Sequence, residues 1–286
     1  MASLREIRRR KRSIQNMEKI TKAMQVVSAT RLRRAQQAVQ RARPYAEKMR
    51  EVLQVTAKIA TSFRHPYLIG REGDRALVIV ITSDRGLCGP LNTNTMRAVN
   101  RYVLQNHGGR ARYVAIGRKG RDFLVRFRRD LVAEVVNLPS HPRFADVQPA
   151  VRAALEEYDQ ERADVVLLAY ARWVTTLRQE PVVRPLVPME IPEAEDLPAA
   201  DYEYEPDPET VLSELLPRYI ESQVYEAVLE NQASEQSARM IAMQNATQAA
   251  GDLVKELRST ENKVRQQSIT SELMDIVGGA AAVSGR

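Results

Sequence analysis

Cysteine and histidine are scarce in this sequence of 286 residues. Its one cysteine, Cys88, has no partner for a disulfide within the chain, which excludes a disulfide-stabilised fold. The three histidines, His65, His107 and His141, are scattered without the spacing of metal ligands. We therefore expect neither a metal site nor histidine-dependent catalysis, and no cofactor bound by this chain.

Long hydrophobic runs are also absent. The strongest run, from Ala76 to Thr82, is far shorter than the stretch of about 18 apolar residues that a membrane span needs. Residues 1 to 6 lack the hydrophobic core of a signal peptide. We expect a mature cytoplasmic chain that does not itself cross a membrane.

Glycine is missing between Leu4 and Ile59, and the only proline there is Pro44. This stretch predicts one long helix, because glycine and proline are the residues that most disfavour a helix interior. Residues at alternating spacings of three and four predict a narrow seam facing another helix. The predicted seam consists of Leu4, Ile7, Ile14, Met17, Thr21, Met24 and Ser28.

A second helical pattern runs from Glu209 to about Val277, with Gly251 as its single interior glycine. Small residues between Ala238 and Ala250 would let two helices approach closely. We expect this helix to pair antiparallel with the N-terminal one. Its predicted apolar side consists of Ile220, Val224, Val228, Leu253, Leu257, Ile269, Leu273, Ile276 and Val277.

Between the two helical segments the pattern changes to alternating strands and helices, which predicts an α/β layer with at least partly parallel strands. Prolines restrict the strand at Val182–Leu186 to a sheet edge. The other predicted strands are Ala76–Thr82, Tyr113–Gly117, Val132–Leu138 and Asp164–Tyr170, and the predicted helices are Leu91–Asn106, Arg118–Arg128 and Val147–Glu161. The predicted division is a helix at 1–62, the α/β domain at 74–188, an acidic linker at 189–208 and a helix at 209–286.

Charge is distributed unevenly along the chain. Residues 1 to 50 carry fifteen Lys or Arg and three acids, whereas residues 190 to 209 carry nine acids and no base. The basic runs at 8–12 and 31–34 allow a nucleic-acid interface, but they lack flanking base-reading residues and continue into an apolar seam. An acidic protein partner is favoured, with a solvated basic face as the alternative.

The segment 83–89, SDRGLCG, lies after the first predicted strand, where a nucleotide-binding loop would lie. It has neither the G-x-G-x-x-G spacing nor a G-K-[ST] ending, and Pro90 removes a backbone donor. We favour a structural turn that exposes a loop to a partner. In that interpretation Asp84 and Arg85 pair locally and Cys88 is a small packed residue.

Four sequence blocks together closely resemble the gamma subunits of F-type ATP synthases, of a bacterial type. They are KITKAMQVVS at 19–28, SDRGLCG at 83–89, SEQSARMIAM at 234–243, and NKVRQQSITSEL at 262–273 followed by IVGGA at 276–280. The resemblance covers the whole chain. It implies an antiparallel coiled coil of the terminal helices with an inserted Rossmann-like α/β domain.

The resemblance also implies a function: a non-catalytic central stalk that couples rotation of an ion-driven c ring to ATP chemistry on alpha and beta subunits. Further implied partners are the epsilon subunit and the c ring, with no nucleic acid, and the implied location is the cytoplasmic face of the bacterial plasma membrane. The implied partner-contact residues are Arg9, Arg10, Met24, Arg33, Arg34, Asp84, Arg85, Cys88, Arg265, Gln266, Ile276 and Val277.

Two residues depart from the pattern of that family. Pro90 replaces the second glycine of a Gly-Gly pair, which stiffens the loop, and Glu261 stands where a tyrosine is common, which brings a charge near the seam. A coiled-coil nucleic-acid-binding protein and a nucleotide-dependent enzyme are the alternative functions.

Overall fold

The computed structural model of the chain describes residues 3–59, 63–190 and 203–284. Two long helices dominate it, α1 at Leu4–Ile59 and α6 at Pro208–Ser284. Both were predicted, and their existence is confirmed. The elements between them are α2 (Pro66–Ile69), β1 (Ala76–Ile81), α3 (Leu91–Asn106), β2 (Ala111–Ile116), α4 (Arg118–Arg126), β3 (Asp130–Val135), α5 (Phe144–Asp159), β4 (Val165–Trp173) and β5 (Gln179–Val187).

The five strands form one mixed sheet in the order β3-β2-β1-β4-β5. Strands β1 to β4 run parallel, and β5 pairs antiparallel with β4 at the sheet's edge, where Pro181 and Pro185 are tolerated. Alternate residues of the buried strands enter two cores. Helices α3 and α4 cover one face, while α5 and parts of α1 and α6 cover the other. The predicted α/β layer is confirmed.

The chain divides into two compact units, and both long helices contribute to each of them. The helical unit contains residues up to Val27 and from Met240 onward, and the α/β unit contains Ser28–Arg239. Residues 191–202 of the predicted acidic linker lie outside the described residues, and Pro208 already belongs to α6.

In the helical unit, α1 and α6 run antiparallel. The hydroxyl of Thr247 donates to that of Thr21 at 2.8 Å, and Glu261 contacts Arg8 and Lys11. Less exposed residues recur at alternating spacings of three and four, which is a heptad repeat. On α1 they are Ile7, Lys11, Ile14, Glu18, Thr21 and Gln25, and on α6 they are Met243, Thr247, Ala250, Val254, Leu257, Glu261 and Val264.

The predicted seam was wrong in part. Met17 and Leu253 face outward, at 56% and 44% exposure, while Glu18 and Val254 occupy the neighbouring seam positions. Met24 is half-buried at the flank. The prediction failed because it followed hydrophobicity, whereas this seam contains charged and amide side chains and leaves apolar ones outside.

Beyond Val264, α6 has no helix beside it within the described residues, because α1 begins at Leu4. Every residue from Arg265 to Val277 is exposed. The large apolar ones among them are 50–68% exposed and comprise Ile269, Leu273, Met274, Ile276 and Val277. The sequence also predicts an apolar end over 277–283, but the side chains at 278–279 and 281–284 lie outside what the structure describes.

The glycine in the middle of the helical unit offers a test of its packing. A Cβ built on Gly251 would lie 3.5 Å from Glu18 Oε1, which is an ordinary contact. Glycine in a helix interior costs about 0.5–1 kcal/mol relative to alanine. We therefore expect Gly251→Ala to raise the free energy of unfolding by about that amount in denaturant titrations. A loss of stability would show that the two helices lie closer together than this.

Candidate functional site

The loop after β1 is built around the carboxylate of Asp84. Its Oδ1 accepts hydrogen bonds from the backbone N–H groups of Arg118 and Asn137, and its Oδ2 accepts one from that of Leu138, each at 2.9 Å. Arg118 is the first residue of α4, so this carboxylate lies at a helix N-terminus, where anions are favoured. The predicted local pair with Arg85 is replaced by these backbone contacts.

Cys88 is inside this loop rather than on its surface. It is 2% exposed and packs with Leu91, Ala171 and Ala238. The side-chain amide of Asn92 donates to the Cys88 sulfur at 3.3 Å. Cys88 is therefore a packed residue, as the interpretation of a structural turn expects. The side chain that the loop exposes beside it is Leu87, at 60% exposure and with a φ of 64°.

Arg239 on α6 holds the same loop, and sequence reasoning missed it. Its guanidinium donates to the carbonyl of Gly86 at 3.2 Å, to that of Arg85 at 3.3 Å and to Glu235 Oε1 at 2.6 Å. Arg239 is only 5% exposed. Burial raises the pKa of Glu235, and the charge of Arg239 opposes that rise. The only sequence signal was the charge pair at i and i+4 within the block 234–243.

Small polar residues of α6 fasten that helix to the end of β4. Asn231 accepts a hydrogen bond from the backbone N–H of Ala171, and Ser234 donates to the Ala171 carbonyl at 2.8 Å. Ser237 donates to the carbonyl of Thr176 at 2.6 Å. The spacing of three residues places these groups on one face of the helix. Arg239, in the same segment of α6, holds the loop after β1. This segment therefore positions both the helix and the loop.

A cleft of about 220 Å³ lies beside the loop at the carboxyl edge of the sheet. Arg31 and Arg34 of α1 and Arg85 of the loop line it, together with Asp84 and Glu235. The three guanidiniums outnumber the two carboxylates, and Glu235 is paired with Arg239, so the charge lining the cleft is net positive. The structure thus brings together Arg34, Asp84 and Arg85 of the predicted contact residues.

The other predicted contact residues are not part of this cleft. Arg9, Arg10 and Arg33 are among the exposed arginines of α1. Arg265 and Gln266 lie on the exposed segment of α6, and Ile276 and Val277 lie near its end at 68% and 63% exposure. All of these side chains are accessible to a partner.

Glu261 is held by two cations in the helical unit. Its carboxylate contacts Lys11 Nζ at 2.5 Å and Arg8 Nε at 2.8 Å. These hydrogen bonds lower the pKa of Glu261. The negative charge of Glu261, which the sequence places near the seam, is therefore paired with the two cations of α1.

The lowered pKa gives Glu261 a predictable pH dependence. Because its pKa is lower when folded than when unfolded, its contribution to stability is present above the ordinary glutamate pKa and is lost as the pH falls through the lowered value. We expect Glu261→Gln to reduce the thermal midpoint at neutral pH and to remove this part of the acid dependence. Melting curves by circular dichroism across that range test it, and parallel pH profiles for variant and parent would contradict it.

No helix within residues 3–59, 63–190 and 203–284 combines the length and hydrophobicity that crossing a membrane requires. The accessible surfaces described above comprise exposed arginines, the loop at 83–89 and the apolar end of α6.

Comparison with known proteins identifies the family. A family model described as ATP synthase matches residues 3–283. The chain is 46% identical to the ATP synthase gamma chain of Ralstonia nicotianae, an alignment that covers 99% of this chain and 100% of the relative. It is 45% identical to the ATP synthase gamma chain of Polynucleobacter asymbioticus, with the same coverage of both chains.

Solved structures agree with these sequence matches. The chain is similar to one in the central stalk and c-ring structure of the Tetrahymena thermophila mitochondrial ATP synthase, with 27% identity and a TM-score of 0.60 over 79% of this chain and 99% of that one. A chain of the Euglena gracilis mitochondrial ATP synthase shares the fold at 21% identity, with a TM-score of 0.70 over 98% of this chain and 94% of that one. This chain belongs to the ATP synthase gamma chain family.

Proposed function

We propose that this chain is the central stalk, or rotor, of a bacterial F-type ATP synthase. It couples ion-driven rotation of a membrane ring of c subunits to ATP synthesis or hydrolysis on the alpha and beta subunits. The observation that carries this proposal is the unpaired end of α6, whose apolar residues between Ile269 and Val277 are exposed. An apolar helix end of this kind is suited to an enclosing sleeve of other subunits.

A second apolar surface supports the same role. Met17, Ile20 and Val27 on α1 are 49–60% exposed and recur at helical spacing, with half-buried Met24 between them. They lie outside the seam that faces α6, so they are available to a surrounding partner. We assign this stripe to contacts with the ring of alpha and beta subunits.

Exposed arginines suit contacts that must form and break as the rotor turns. An exposed ion pair contributes about 0–1 kcal/mol, so exchanging one acidic partner for another changes little free energy. We assign Arg9, Arg10, Arg33 and Arg34 to passing contacts with an acidic loop of the beta subunit. Arg265 and Gln266 would contact a beta-subunit catch loop, and Ile276 and Val277 the apolar sleeve.

The loop at 83–89 is assigned to contacts with the beta and epsilon subunits. Its shape is held by Asp84 and by Arg239, so Arg85 and Leu87 are presented on a rigid support. Cys88 contributes to the loop from inside through its packing. The chain itself binds no nucleotide or other cofactor in this proposal, and the ATP chemistry takes place on alpha and beta.

The location follows from the assembly. The rotor would lie at the cytoplasmic face of the bacterial plasma membrane, held peripherally through epsilon and the c ring.

The test is ATPase activity and rotation in a reconstituted assembly. We expect the chain alone to be inactive, and a mixture with alpha and beta subunits to hydrolyse ATP and to turn a bead attached to the chain in one direction. A matched pair of variants probes the end of α6: Ile276→Ser with Val277→Ser should reduce turnover of the assembly, whereas Ile69→Ser, at an exposed site on α2, should not. A chain that neither assembles with alpha and beta nor changes their turnover would refute the proposal.

A further inference from the structure

A strongly basic segment of the α/β unit has no role in the proposed coupling. Residues 97 to 129 contain ten Lys or Arg and one acid, Asp122. Some of these cations are used internally: Arg112 contacts Asp130 and Glu157, and Arg121 contacts Asp122. Arg97 and Arg118 donate to the side-chain amides of Asn94 and Asn137. The cations with neither a carboxylate nor an amide partner in the described part of the chain are all exposed: Arg101, Arg110, Lys119, Arg126, Arg128 and Arg129.

The topology gathers most of these free cations at one edge of the sheet. Helix α3 leads into β2 and helix α4 leads into β3, and these neighbouring strands run parallel. The loops before them, 107–110 and 127–129, therefore lie side by side at the amino-terminal edge. The loop at 83–89 follows the carboxyl end of β1 and lies at the opposite edge.

Exposed apolar side chains stand among these arginines. Leu104 is 69% exposed on the last turns of α3, and Val125 and Phe127 are 56% and 55% exposed at the end of α4. The Phe127 ring is supported by that of Phe123, with ring centroids 4.5 Å apart. We name this combination of Leu104, Arg110 and residues 125–129 the basic-apolar edge.

Arg128 has a backbone conformation that is unfavourable for a residue with a side chain, yet an arginine is present at this position. Its φ of 50° lies in the left-handed region, where the turn after a helix favours glycine. The turn is closed by hydrogen bonds from the backbone N–H of Arg128 to the Val125 carbonyl and from that of Arg129 to the Leu124 carbonyl. One cation is enough to interact favourably with the dipole at the C-terminus of a short helix. Three are present at the end of α4, namely Arg126, Arg128 and Arg129.

We propose that the basic-apolar edge binds the surface of an anionic phospholipid membrane. Arginines beside a membrane bind lipid phosphates, while Leu104, Val125 and Phe127 would enter the boundary between headgroups and acyl chains. The apolar members favour this partner over a nucleic acid, since protruding aliphatic side chains gain nothing from a phosphate backbone in water.

This inference goes beyond the proposed rotor function and stands on the surface alone, but the two are compatible. If the loop edge of the sheet faces the alpha and beta subunits, the opposite edge faces the membrane sector. A weak, sliding contact with lipid headgroups would steady a rotating part without locking it.

Vesicle binding by the full chain tests the proposal. Co-sedimentation with vesicles of phosphatidylglycerol and phosphatidylcholine is compared with vesicles of phosphatidylcholine alone, at low and at physiological ionic strength. We expect partition onto the anionic vesicles only, weakened by salt. The assay contains neither alpha nor beta, and the ATPase assay contains no lipid, so failure of either proposal is recognised separately.

Three sets of variants locate the site. Arg126→Gln with Arg128→Gln and Arg129→Gln should weaken partition on the order of 100-fold. The control Arg12→Gln with Arg41→Gln and Arg43→Gln removes the same charge from exposed positions of α1 and should change partition little. Leu104→Ser should weaken partition about tenfold through loss of apolar insertion.

Arg128→Gly separates binding from folding. Glycine suits the left-handed backbone at this position, so the thermal midpoint should stay equal or rise while vesicle binding falls several-fold. Equal binding to neutral vesicles, an equal effect of the control variant, or binding to duplex DNA in preference to anionic vesicles would each overturn the proposal.

Discussion

Replacing Arg239 by alanine is expected to lower the free energy of unfolding by about 3–5 kcal/mol. The guanidinium is 5% exposed and donates to Glu235 and to the carbonyls of Arg85 and Gly86. Its removal leaves a buried carboxylate without its cation and the Gly86 carbonyl without its donor, while the Arg85 carbonyl keeps its hydrogen bond from Ser83. The loss also frees the loop at 83–89 from α6, so ATPase activity of the assembled complex should fall together with stability.

The penalty of this variant should depend on pH. Burial raises the pKa of Glu235, and without Arg239 only the weaker effect of the Arg85 charge opposes that rise. The charged form is therefore costly above the raised pKa, and protonation relieves the cost as the pH falls. We expect chemical denaturation to show a larger difference from the parent at neutral than at mildly acidic pH.

Matched variants distinguish this buried pair from a surface one. Arg172→Ala breaks a pair with Glu180 in which the arginine side chain is 51% exposed, and it should have a much smaller effect. Arg239→Ala combined with Glu235→Gln should recover part of the lost stability. If Arg239→Ala were as mild as Arg172→Ala, the guanidinium would not be holding the loop.

Replacing Asp84 by alanine should cost about 2–4 kcal/mol, since three backbone N–H groups lose their charged acceptor. These donors belong to Arg118, Asn137 and Leu138, so the start of α4 and the segment after β3 should both loosen. Hydrogen exchange would report faster exchange at those amides. Thermal and chemical unfolding would report the change in stability.

The neighbouring residue provides the control. Arg85 is exposed, and only its backbone carbonyl is used by Ser83 and Arg239. Arg85→Ala should therefore change stability by no more than about 0.5 kcal/mol. Asp84→Asn should fall between the two, because an amide keeps one acceptor oxygen. Equal stability of Asp84→Ala and Arg85→Ala would show that the carboxylate is not structural.

The long helices and the α/β layer could be predicted because local signals there agree. The absence of glycine from Leu4 to Ile59 matches the whole of α1, and prolines in β5 match its edge position. The register of the seam could not be predicted from hydrophobicity. Met17 is apolar and faces outward, whereas Glu18 is charged and lies in the seam, because a chain shaped for partners has apolar residues on more than one face.

Contacts between segments that are distant in the sequence could not be predicted from sequence patterns. Arg239 and Gly86 are more than 150 positions apart in the sequence, and no local residue spacing predicts the hydrogen bond between them. Asp84 likewise accepts hydrogen bonds from backbone amides of two later segments, the start of α4 and the residues after β3. The family resemblance marked both segments as important, but the hydrogen bonds that explain their residues appear only when the chain is folded.

The carboxylate of Asp84 acts as an intramolecular anionic ligand of three backbone N–H groups. It lies at the carboxyl edge of a parallel sheet and at a helix N-terminus, where related folds commonly receive an anion that can dissociate. A tethered group has an effective concentration of about millimolar or more, so it competes well with free phosphate. The anion position at this edge is therefore occupied by the chain's own carboxylate, so the shape of the loop does not depend on an anion that can dissociate.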